Sequence, residues 1–344
     1  MQKFIKKPIL FILLMGLFYA CNKDDSNLEN SIENGNSIKK VSFNVETNGR
    51  GFTTSGTMLS FPTFQDYEDT IEMLEVQLEA HQEAFYSQYE SLTDDEVDDM
   101  EDSTGFNPQQ PLIDFENQYS FSNSLRVKYN ELEEIWLNNE ELDPNTDPDN
   151  DILFDEVEQV LWNEHQEVMI EGKVFAFEKL QATYEITGDF ETSLTKINNG
   201  EDVSNDPNII TTERSQGSCT TWKSRSDFID NYANRRKIKR ILSIRSVPWF
   251  TKTQAKNKSY KKRGGRWKNR ATHIGVSFQR NLKSTCSGNV VRSGYKSKSV
   301  KRRRQRTATA RDWGFSHSLR AQKYSGIQGT FYRGGSSSTK SLSW

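Results

Sequence analysis

Three basic tracts in the last third of the chain carry its most distinctive chemical groups. They are Arg235, Arg236, Lys237, Lys239 and Arg240; Lys261, Lys262, Arg263 and Arg266; and Lys301, Arg302, Arg303, Arg304 and Arg306. Guanidinium groups capture phosphate, sulfate or carboxylate in a bidentate manner, and the five tryptophans of the same region can stack on bases or sugar rings. The tracts therefore indicate a surface that recognises polyanions.

The third tract cannot pack against an apolar core if it forms a strand. Arg302, Arg304 and Arg306 would share one face of the strand, and Lys301 and Arg303 would share the other. Because unpaired charge is costly to bury, the tract must be a projecting arm or edge, or it must meet anions on both sides. For a projecting arm, we expect that neutralising these residues leaves the fold intact.

Charge is divided between the two halves of the chain. From Cys219 onward there are 32 Lys and Arg against three acidic residues, whereas residues 22–218 hold 10 basic and 45 acidic residues. The formal net charge of -3 hides this polarity. Such an asymmetry is informative about partners. The basic half is expected either to bind an external polyanion or to dock on the acidic half of its own chain or of a partner.

Acidic residues near the middle of the chain partly match a calcium-binding loop. Positions 1, 3, 5, 9 and 12 of an EF-hand loop are matched by Asp147, Asp149, Asp151, Asp155 and Glu158. Position 6 is Ile152, where the sharp turn requires Gly. Asp is also an ordinary residue at the start of a helix. We expect a capped acidic loop here, with a specific calcium site as the alternative.

No catalytic or cofactor motif emerges from the sequence. The histidines, His81, His165, His273 and His317, do not stand in a metal-ligand pattern. Acidic residues are too numerous for any two of them to be nominated as the carboxylate pair of a glycosidase. A cysteine nucleophile paired with His273 or His317 is the remaining route to a hydrolase. We expect a non-enzymatic protein without a cofactor, and a hydrolase is the alternative.

Cys219 and Cys286 both lie in the basic half and are expected to form a disulfide. They would close a loop of 66 intervening residues, for which chain entropy gives about 4 kcal/mol of stabilisation. The C-x-x-C spacing of zinc sites is absent from the sequence. Two separate thiols are the alternative.

Helical periodicity dominates the acidic half. Thr63 and Asp66 resemble a capping box, and a run of apolar residues at helical spacing follows: Ile71, Leu74, Leu78, Phe85, Tyr89 and Leu92. The acids between them, among them Glu75 and Glu79, are expected to form a solvated face. Residues 93–110 are expected to be an acidic loop, and further helices are predicted after Pro111 and around Val157. Residues 167–177 predict a β-hairpin.

The basic half has the two-residue period of β-strands, with Ile274, Val276 and Phe278 on one face of one of them. The sequence therefore predicts an α+β protein. An acidic helical region with a β-hairpin is expected at 41–190 and a polar linker at 191–218. A basic, mostly-β domain is expected at 219–344, with the form of a sandwich or a barrel.

The first 20 residues have the pattern of a signal peptide, in which three lysines precede an apolar segment of about ten residues. Ala20-Cys21 at its end resembles the lipobox of bacterial lipoproteins, with Phe18 where that family prefers Leu; loose boxes of this kind are common in the Bacteroidota. The resemblance implies that the thiol of Cys21 is lipidated and that Cys21 becomes the mature N-terminus. Lipid chains of this kind would hold the protein on a membrane.

Lys23, Asp24 and Asp25 follow this cysteine and resemble the export signal of Bacteroidota lipoproteins, a Lys followed by two acids. Residues 21–40 would then be a lipidated, flexible tether. The resemblance implies lipid anchoring in the outer membrane with the protein facing the cell exterior; a periplasmic-facing position is the alternative. The expected partners are the membrane and a polyanion, namely an acidic glycan, lipopolysaccharide or extracellular nucleic acid. Intracellular nucleic acid is excluded by the signal peptide.

Overall fold

The computed structural model describes residues 37–341, except 48–51, 140–141, 153, 179–181, 214–218, 234, 248–249 and 314–317. The chain divides into the units Met1–Gly35 and Asn36–Trp344, and every described residue belongs to the second unit. The predicted signal peptide, Cys21, Lys23, Asp24 and Asp25 lie outside the described residues. Among the described helices, none has the length and apolar character that a membrane span needs.

The acidic half contains a six-stranded sheet with the strand order β1-β2-β3-β4-β5-β6. The strands are β1 (Lys39–Thr47), β2 (Phe52–Phe61), β3 (Glu167–Ile170), β4 (Lys173–Glu178), β5 (Ala182–Ile186) and β6 (Ile209–Glu213). Only β2 and β3 are parallel neighbours in this sheet. The hairpin predicted at 167–177 is confirmed. Glu171 and Gly172 form its turn with φ angles of 54° and 73°, because a two-residue hairpin turn of this kind needs positive φ at both central residues.

Seven α-helices are found among the described residues, all in the acidic half. They are α1 (Phe64–Tyr86), α2 (Asp94–Thr104), α3 (Gln110–Gln118), α4 (Leu125–Leu137), α5 (Pro148–Asp151), α6 (Glu156–Gln159) and α7 (Phe190–Asn198). As predicted, Thr63 caps α1 by accepting a hydrogen bond from the Asp66 N–H. Ile71, Leu74 and Leu78 of the predicted apolar stripe are buried in a core that also contains Leu59 and Phe61 of β2. The rest of the stripe, Phe85, Tyr89 and Leu92, is partly buried in a separate cluster, and α1 ends at Tyr86.

The prediction of an acidic loop at 93–110 is wrong, because α2 and the start of α3 lie in this segment. Thr93 and Glu96 form a reciprocal capping box at the start of α2. Three acids in the first turn are favourable at the positive end of the helix dipole. Gly105 ends the helix with a φ of 67°, as left-handed caps commonly do. Local capping therefore outweighs the repulsion between the acids.

The prediction of a linker at 191–218 is also wrong. Asp189 caps α7 through the N–H of Thr192, and β6 pairs with β5. Leu194, Val203 and Ile209 are buried against the sheet in a common core. The polar composition of this segment conceals these three anchors, and the acidic half extends to the end of β6.

The basic half consists of strands that form two sheets. The strands are β7 (Cys219–Thr220), β8 (Trp222–Ala233), β9 (Arg236–Val247), β10 (Phe250–Arg263), β11 (Arg266–Asn269), β12 (Thr272–Lys283), β13 (Val290–Arg303), β14 (Gln305–Trp313), β15 (Arg320–Gln322), β16 (Ile327–Arg333) and β17 (Ser336–Ser341). One sheet, here called the basic sheet, contains β8, β9, β10, β11 and β14, and the other contains the remaining strands. The α+β class predicted from the sequence is confirmed.

The two sheets pack face to face around an apolar core. Val276 and Phe278 of β12 point into it, as their alternation predicted, opposite Leu242 of β9 and Ala255 of β10. Val247 and Phe250, by contrast, belong to the core of the acidic half. The two halves therefore share a hydrophobic core and are not joined only by a linker.

Cys219 and Cys286 form the disulfide that the sequence predicted, with a distance of 5.6 Å between their Cα atoms. The bond joins β7 to the turn that connects β12 with β13. It therefore fastens the first strand of the basic half to the turn between β12 and β13, two strands of the same sheet.

Candidate functional site: the charged interface and its cavity

The basic sheet has one face on the neighbouring sheet and the other on the acidic helices. Along β10, the small side chain of Ala255 joins the core between the sheets, and Asn257 donates to the backbone of β12 and β16. The alternate residues Lys252, Lys256 and Lys258 point the opposite way and reach acids of the helical half. The two-residue period of the strand therefore separates small residues from lysines, and it creates a charged interface.

Asp149 lies at the centre of this interface. Its carboxylate is 2.7 Å from Lys239 Nζ, 3.2 Å from Lys256 Nζ and 3.7 Å from Lys258 Nζ. Asp147 accepts a hydrogen bond from Lys239 at 2.5 Å. All five side chains are almost fully buried. Burial raises the pKa of Asp149, but the lysines outweigh this effect and hold its pKa well below the ordinary value.

A second network surrounds Asp155 and Glu158. Arg311 contacts Asp155 at 2.7 Å and Glu158 at 2.8 Å, and Lys252 lies against both carboxylates. The same two acids form the capping box of α6. Each acid thus accepts a hydrogen bond from a backbone N–H at the start of α6 and also pairs with a buried cation.

The EF-hand-like array is divided between these networks. Asp147 caps α5 and Asp155 caps α6, which is the capping role that the sequence indicated. Asp147 and Asp149 face lysine ammonium groups, and Asp155 and Glu158 face Lys252 and Arg311. Within the described ranges, no group of three or more His, Cys, Asp or Glu side chains is placed to hold a metal ion.

The third basic tract forms the junction of β13 and β14 and packs on α1 and α2. Arg303 contacts Glu79 at 3.0 Å and Glu83 at 2.5 Å, and Arg306 contacts Glu79 at 2.7 Å. Lys301 contacts the same two glutamates. Burial raises the pKa of the Glu79 carboxyl, but the lowering by Arg306 and Arg303 is larger, so that the pKa is about 2. These acids were expected to form a solvated face of α1, and that expectation is wrong.

A projecting arm is likewise the wrong picture of this tract. Arg302, Arg303 and Arg306 are only 3%, 1% and 6% exposed. Arg302 donates to the carbonyl oxygens of Tyr89 and Leu92 at 2.5 and 2.6 Å, and Arg304 contacts Glu101 at 2.7 Å. The chain bends at Arg304, so Arg303 and Arg306, which alternation would place on opposite faces, contact the same Glu79. The tract therefore meets acceptors of the acidic half, in line with the alternative to an arm. The expectation that its neutralisation leaves the fold intact has lost its basis.

The first two tracts contact α2. Arg236 reaches Asp98 at 2.5 Å, and Lys261 reaches Asp95 at 2.6 Å. Arg263, which is half exposed, contacts Asp102 at 2.7 Å. The acidic helix that composition had concealed is therefore a main partner of the basic residues.

Five residues of the predicted polyanion surface do not contact the acidic helices through ion pairs within the described part of the chain. Arg240 pairs with Asp227 inside the basic half, and Lys237 lies over the rings of Phe228 and Trp267 at 4.1 Å. The other three are exposed: Arg235, Lys262 and Arg266. The Lys262 N–H donates to the Arg235 carbonyl at 2.7 Å, and Arg266 begins the strand paired with this part of β10. We call these three residues the hairpin-tip cluster.

The residues considered for a hydrolase are not assembled. Cys219 and Cys286 are consumed by the disulfide. His273 Nε2 lies 2.9 Å from a carboxylate oxygen of the exposed Glu90, and His317 lies outside the described residues. His81 is hydrogen-bonded to the Asn107 carbonyl at 2.8 Å.

Arg245 of β9 is buried without a carboxylate. It is 1% exposed, and its guanidinium lies over the rings of Phe154 and Trp222, with distances of 4.6 and 4.8 Å to the ring centres. Among the described residues, none forms a hydrogen bond with its three side-chain nitrogens. Burial lowers the pKa of this guanidinium well below the ordinary value.

Sequence reasoning missed several cations of this interface, namely Arg245, Lys252, Lys256, Lys258, Arg270 and Arg311. These residues lie outside the runs of closely spaced basic residues that mark the three tracts. In β10 the signal was instead a Lys at alternate positions, with Thr, Ala, Asn or Ser between them. A strand of that pattern has one face for a sheet core and one for anions.

A cavity of 440 Å³ lies where α4 and α6 face β10 and β11. Its inner wall contains Tyr129, Glu133, Lys258 and Tyr260, all buried. Glu133 Oε1 accepts hydrogen bonds from Tyr260 at 2.7 Å, from Tyr129 at 3.1 Å and from Lys258. Glu156 lies on another wall, where burial raises the pKa of its carboxyl. The site thus combines a fixed network with carboxylate and amide groups that line open space.

Comparisons with known proteins add little to this geometry. No protein-family model matches the chain, and no curated protein matches it. A solved structure, described as a DUF4848 family protein from Bacteroides thetaiotaomicron, aligns with 83% of this chain and 97% of its own. The sequence identity is 12% and the TM-score is 0.18. A likeness at this level supports no argument about fold or function.

Proposed function

We propose that the chain is a lipid-anchored, extracytoplasmic, non-enzymatic structural protein whose basic half is docked on its own acidic helices. The observation that supports this is the burial of Asp149 among three lysines of the basic sheet. In an external polyanion-binding surface, these cations would have to be accessible. Here the charge of these buried lysines is neutralised within the chain, so that they are not available for ionic contacts with other molecules.

The anchoring part of this proposal rests on the resemblance of Ala20-Cys21 to a lipobox. We expect a Cys21→Ala variant to lose palmitate labelling and to leave the membrane fraction, because two or more acyl chains are needed for stable anchoring. Metabolic labelling followed by cell fractionation measures both effects, and Asn22→Ala, next to the acylated residue, is the control that keeps its label. Labelling of the Cys21→Ala chain would contradict the anchor.

Cell-surface display is the next part of the proposal. It rests on the resemblance of Lys23, Asp24 and Asp25 to an export signal. External protease on intact cells should degrade the native protein, whereas a variant with alanine at these three positions should be protected and remain anchored.

A second candidate function is supported by the hairpin-tip cluster, where Arg235, Lys262 and Arg266 are exposed. An external polyanion can reach these three cations without displacing the acidic helices. In this candidate function the docked protein binds an acidic glycan, lipopolysaccharide phosphate or extracellular DNA at one small site.

Salt dependence of DNA binding separates the two functions. Three neutralised phosphates give a slope of about -3 for log affinity against log salt concentration, since each contributes about -0.9. We expect the intact chain to show at most this slope with a B-DNA fragment. The triple variant Arg235→Gln, Lys262→Gln, Arg266→Gln should abolish it. The matched control replaces three other cations by Gln, namely Lys39, Arg225 and Lys323, and so removes the same amount of charge.

The outcomes are distinct. A slope of -4 or steeper would mean that the covered arginines are accessible, and it would contradict docking. No binding by the intact chain would leave the structural function alone and eliminate the polyanion site. Binding unchanged by the triple variant would exclude the hairpin-tip cluster.

A further inference from the structure

The cavity between α4, α6, β10 and β11 has the size and accessibility of a ligand site. Its volume of 440 Å³ lies within the range of about 300–1,000 Å³ that is typical of small-molecule sites. Exposed residues, Asn107, Glu134 and Lys268, line its outer part, and Tyr129 and Tyr260 are buried at its inner end. A molecule can therefore enter from solvent and reach a rigid inner wall.

The charges of the lining cancel. Four acids and four bases line the cavity, so its formal charge is zero: Asp102, Glu133, Glu134 and Glu156 face Lys258, Lys268, Arg270 and Arg304. The buried charges of the lining are already paired, because Lys258 pairs with Glu133, and Arg270 pairs with the buried Glu101 at 3.1 Å and with the exposed Asp102 at 2.7 Å. An ionic ligand would have to break these pairs, which favours an uncharged one.

Amide side chains are the second feature of the lining. Gln82, Gln109, Asn130, Gln159, Asn269 and Gln305 all contribute to it. An amide offers an acceptor and two donors, so an array of amides complements hydroxyl groups, which also donate and accept. The Asn269 Oδ1 atom is buried and has no hydrogen-bond partner among the described residues. Because Asn269 lines the cavity, a rotation of its side-chain amide would turn this acceptor toward a ligand hydroxyl.

An aromatic side chain completes the set. Trp267 of β11 is half-buried and lines the cavity beside Asn269. Lys237 and Lys262 lie over this ring, with distances of 4.1 and 5.9 Å to its centre. A sugar can therefore pack its apolar C–H surface only against the part of the ring that lines the cavity, while the amides bind the hydroxyls. Polar groups placed around an apolar contact are the usual composition of specific sites.

From this combination we infer that the cavity binds a neutral polyhydroxylated molecule, a mono- or oligosaccharide. The inference is independent of the docked function proposed above and of the polyanion site at the hairpin tip. The saccharide is held by amides and the carboxyl of Glu156, with the paired charges of Glu133 and Lys258 fixing the inner wall.

Isothermal titration calorimetry of the intact chain tests this inference. The probes are glucose, N-acetylglucosamine, maltose, cellobiose and lactose, with citrate and spermidine as anionic and cationic controls. We expect saturable binding of at least one saccharide and none of either control. Asn269→Leu removes the free acceptor and should weaken saccharide binding about tenfold, which corresponds to one or two hydrogen bonds.

Gln328→Leu, an amide exposed on β16 outside the cavity, is the matched control and should bind like the native chain. Gln305→Leu, at the start of β14, is a second variant for the case that Asn269→Leu does not fold. The inference is overturned if no saccharide of the panel binds, if citrate or spermidine displaces a bound saccharide, or if the folded cavity variants bind as tightly as the control.

Discussion

An Asp149→Asn variant is expected to lose about 3–5 kcal/mol of unfolding free energy, the typical result of removing one partner of a buried ion pair. The change nearly keeps the volume of the side chain, removes its charge and turns one of its two acceptor oxygens into an NH2 donor. Lys239, Lys256 and Lys258 then share a dry site in which Asp147 and Glu133 are the remaining acids in ion pairs with them. Urea unfolding followed by tryptophan fluorescence measures the effect.

Asp99→Asn is the control for this prediction. Asp99 pairs with Arg263 at 3.2 Å on the surface, where the two side chains are 69% and 50% exposed. Such pairs contribute about 0–1 kcal/mol, so the control should unfold almost like the native chain. Equal losses for the two variants would mean that the interface is hydrated and that the pairs at Asp149 are not buried.

A compensating change shows whether the loss is electrostatic. In the double variant Asp149→Asn, Lys256→Met, one of the excess positive charges is gone, so the double variant should be more stable than Asp149→Asn alone. If the second change only adds to the first, the loss at Asp149 comes from packing or helix capping. Residues in direct contact are the ones for which such non-additivity is expected.

Local signals in the sequence predicted several of the elements correctly. Thr63 and Asp66 marked the start of α1, and alternation placed Val276 and Phe278 in the core between the sheets. The signals of α2 were equally local, since Thr93 and Glu96 stand at the spacing of a capping box. The density of acids in 93–110 concealed them, because a segment so rich in acids has the composition of a solvated loop.

The charged interface could not be predicted in the same way. Glu79 and Arg306 are separated by 227 residues, and no periodicity of either segment indicates the other. An acid on the outer face of an amphipathic helix is ordinarily solvated. Here the fold places a strand junction rich in arginine over that face. Sequence could show that anions must meet the tract at 301–306, and it left open whether those anions belong to the chain itself.

The cavity depends even more strongly on tertiary structure. Its amides come from α1, α4, α6, β11 and β14, and single Asn or Gln residues carry no signal in the sequence. The sequence does show lysines at alternate positions of β10. One of them, Lys258, forms part of the inner wall. The position of the wall follows from the docking of the two halves.

Replacing Arg245 should change the unfolding free energy in the opposite direction to replacing Asp149. A buried charge that lacks an anion has been desolvated without compensation, whereas a methionine of similar length keeps the contacts with Phe154 and Trp222. Cation–π attraction offsets part of the cost, by about 1–2 kcal/mol. We expect Arg245→Met to raise the unfolding free energy by about 1–4 kcal/mol, as replacements of buried ionic groups by packed apolar residues often do.

Arg303→Met is the matched control, because Arg303 is also 1% exposed but contacts Glu79 and Glu83. Its replacement should lower stability, since two carboxylates lose one of their cations, and only Lys301 and Arg306 remain to pair with them. Thermal and urea unfolding of both variants give the comparison. A loss of stability in Arg245→Met would mean that an anion or an ordered water network compensates this guanidinium, and it would identify Arg245 as part of a binding site. A gain would show that burial beside aromatic rings is tolerated, and that pairing with the acidic helices is what stabilises the other buried cations.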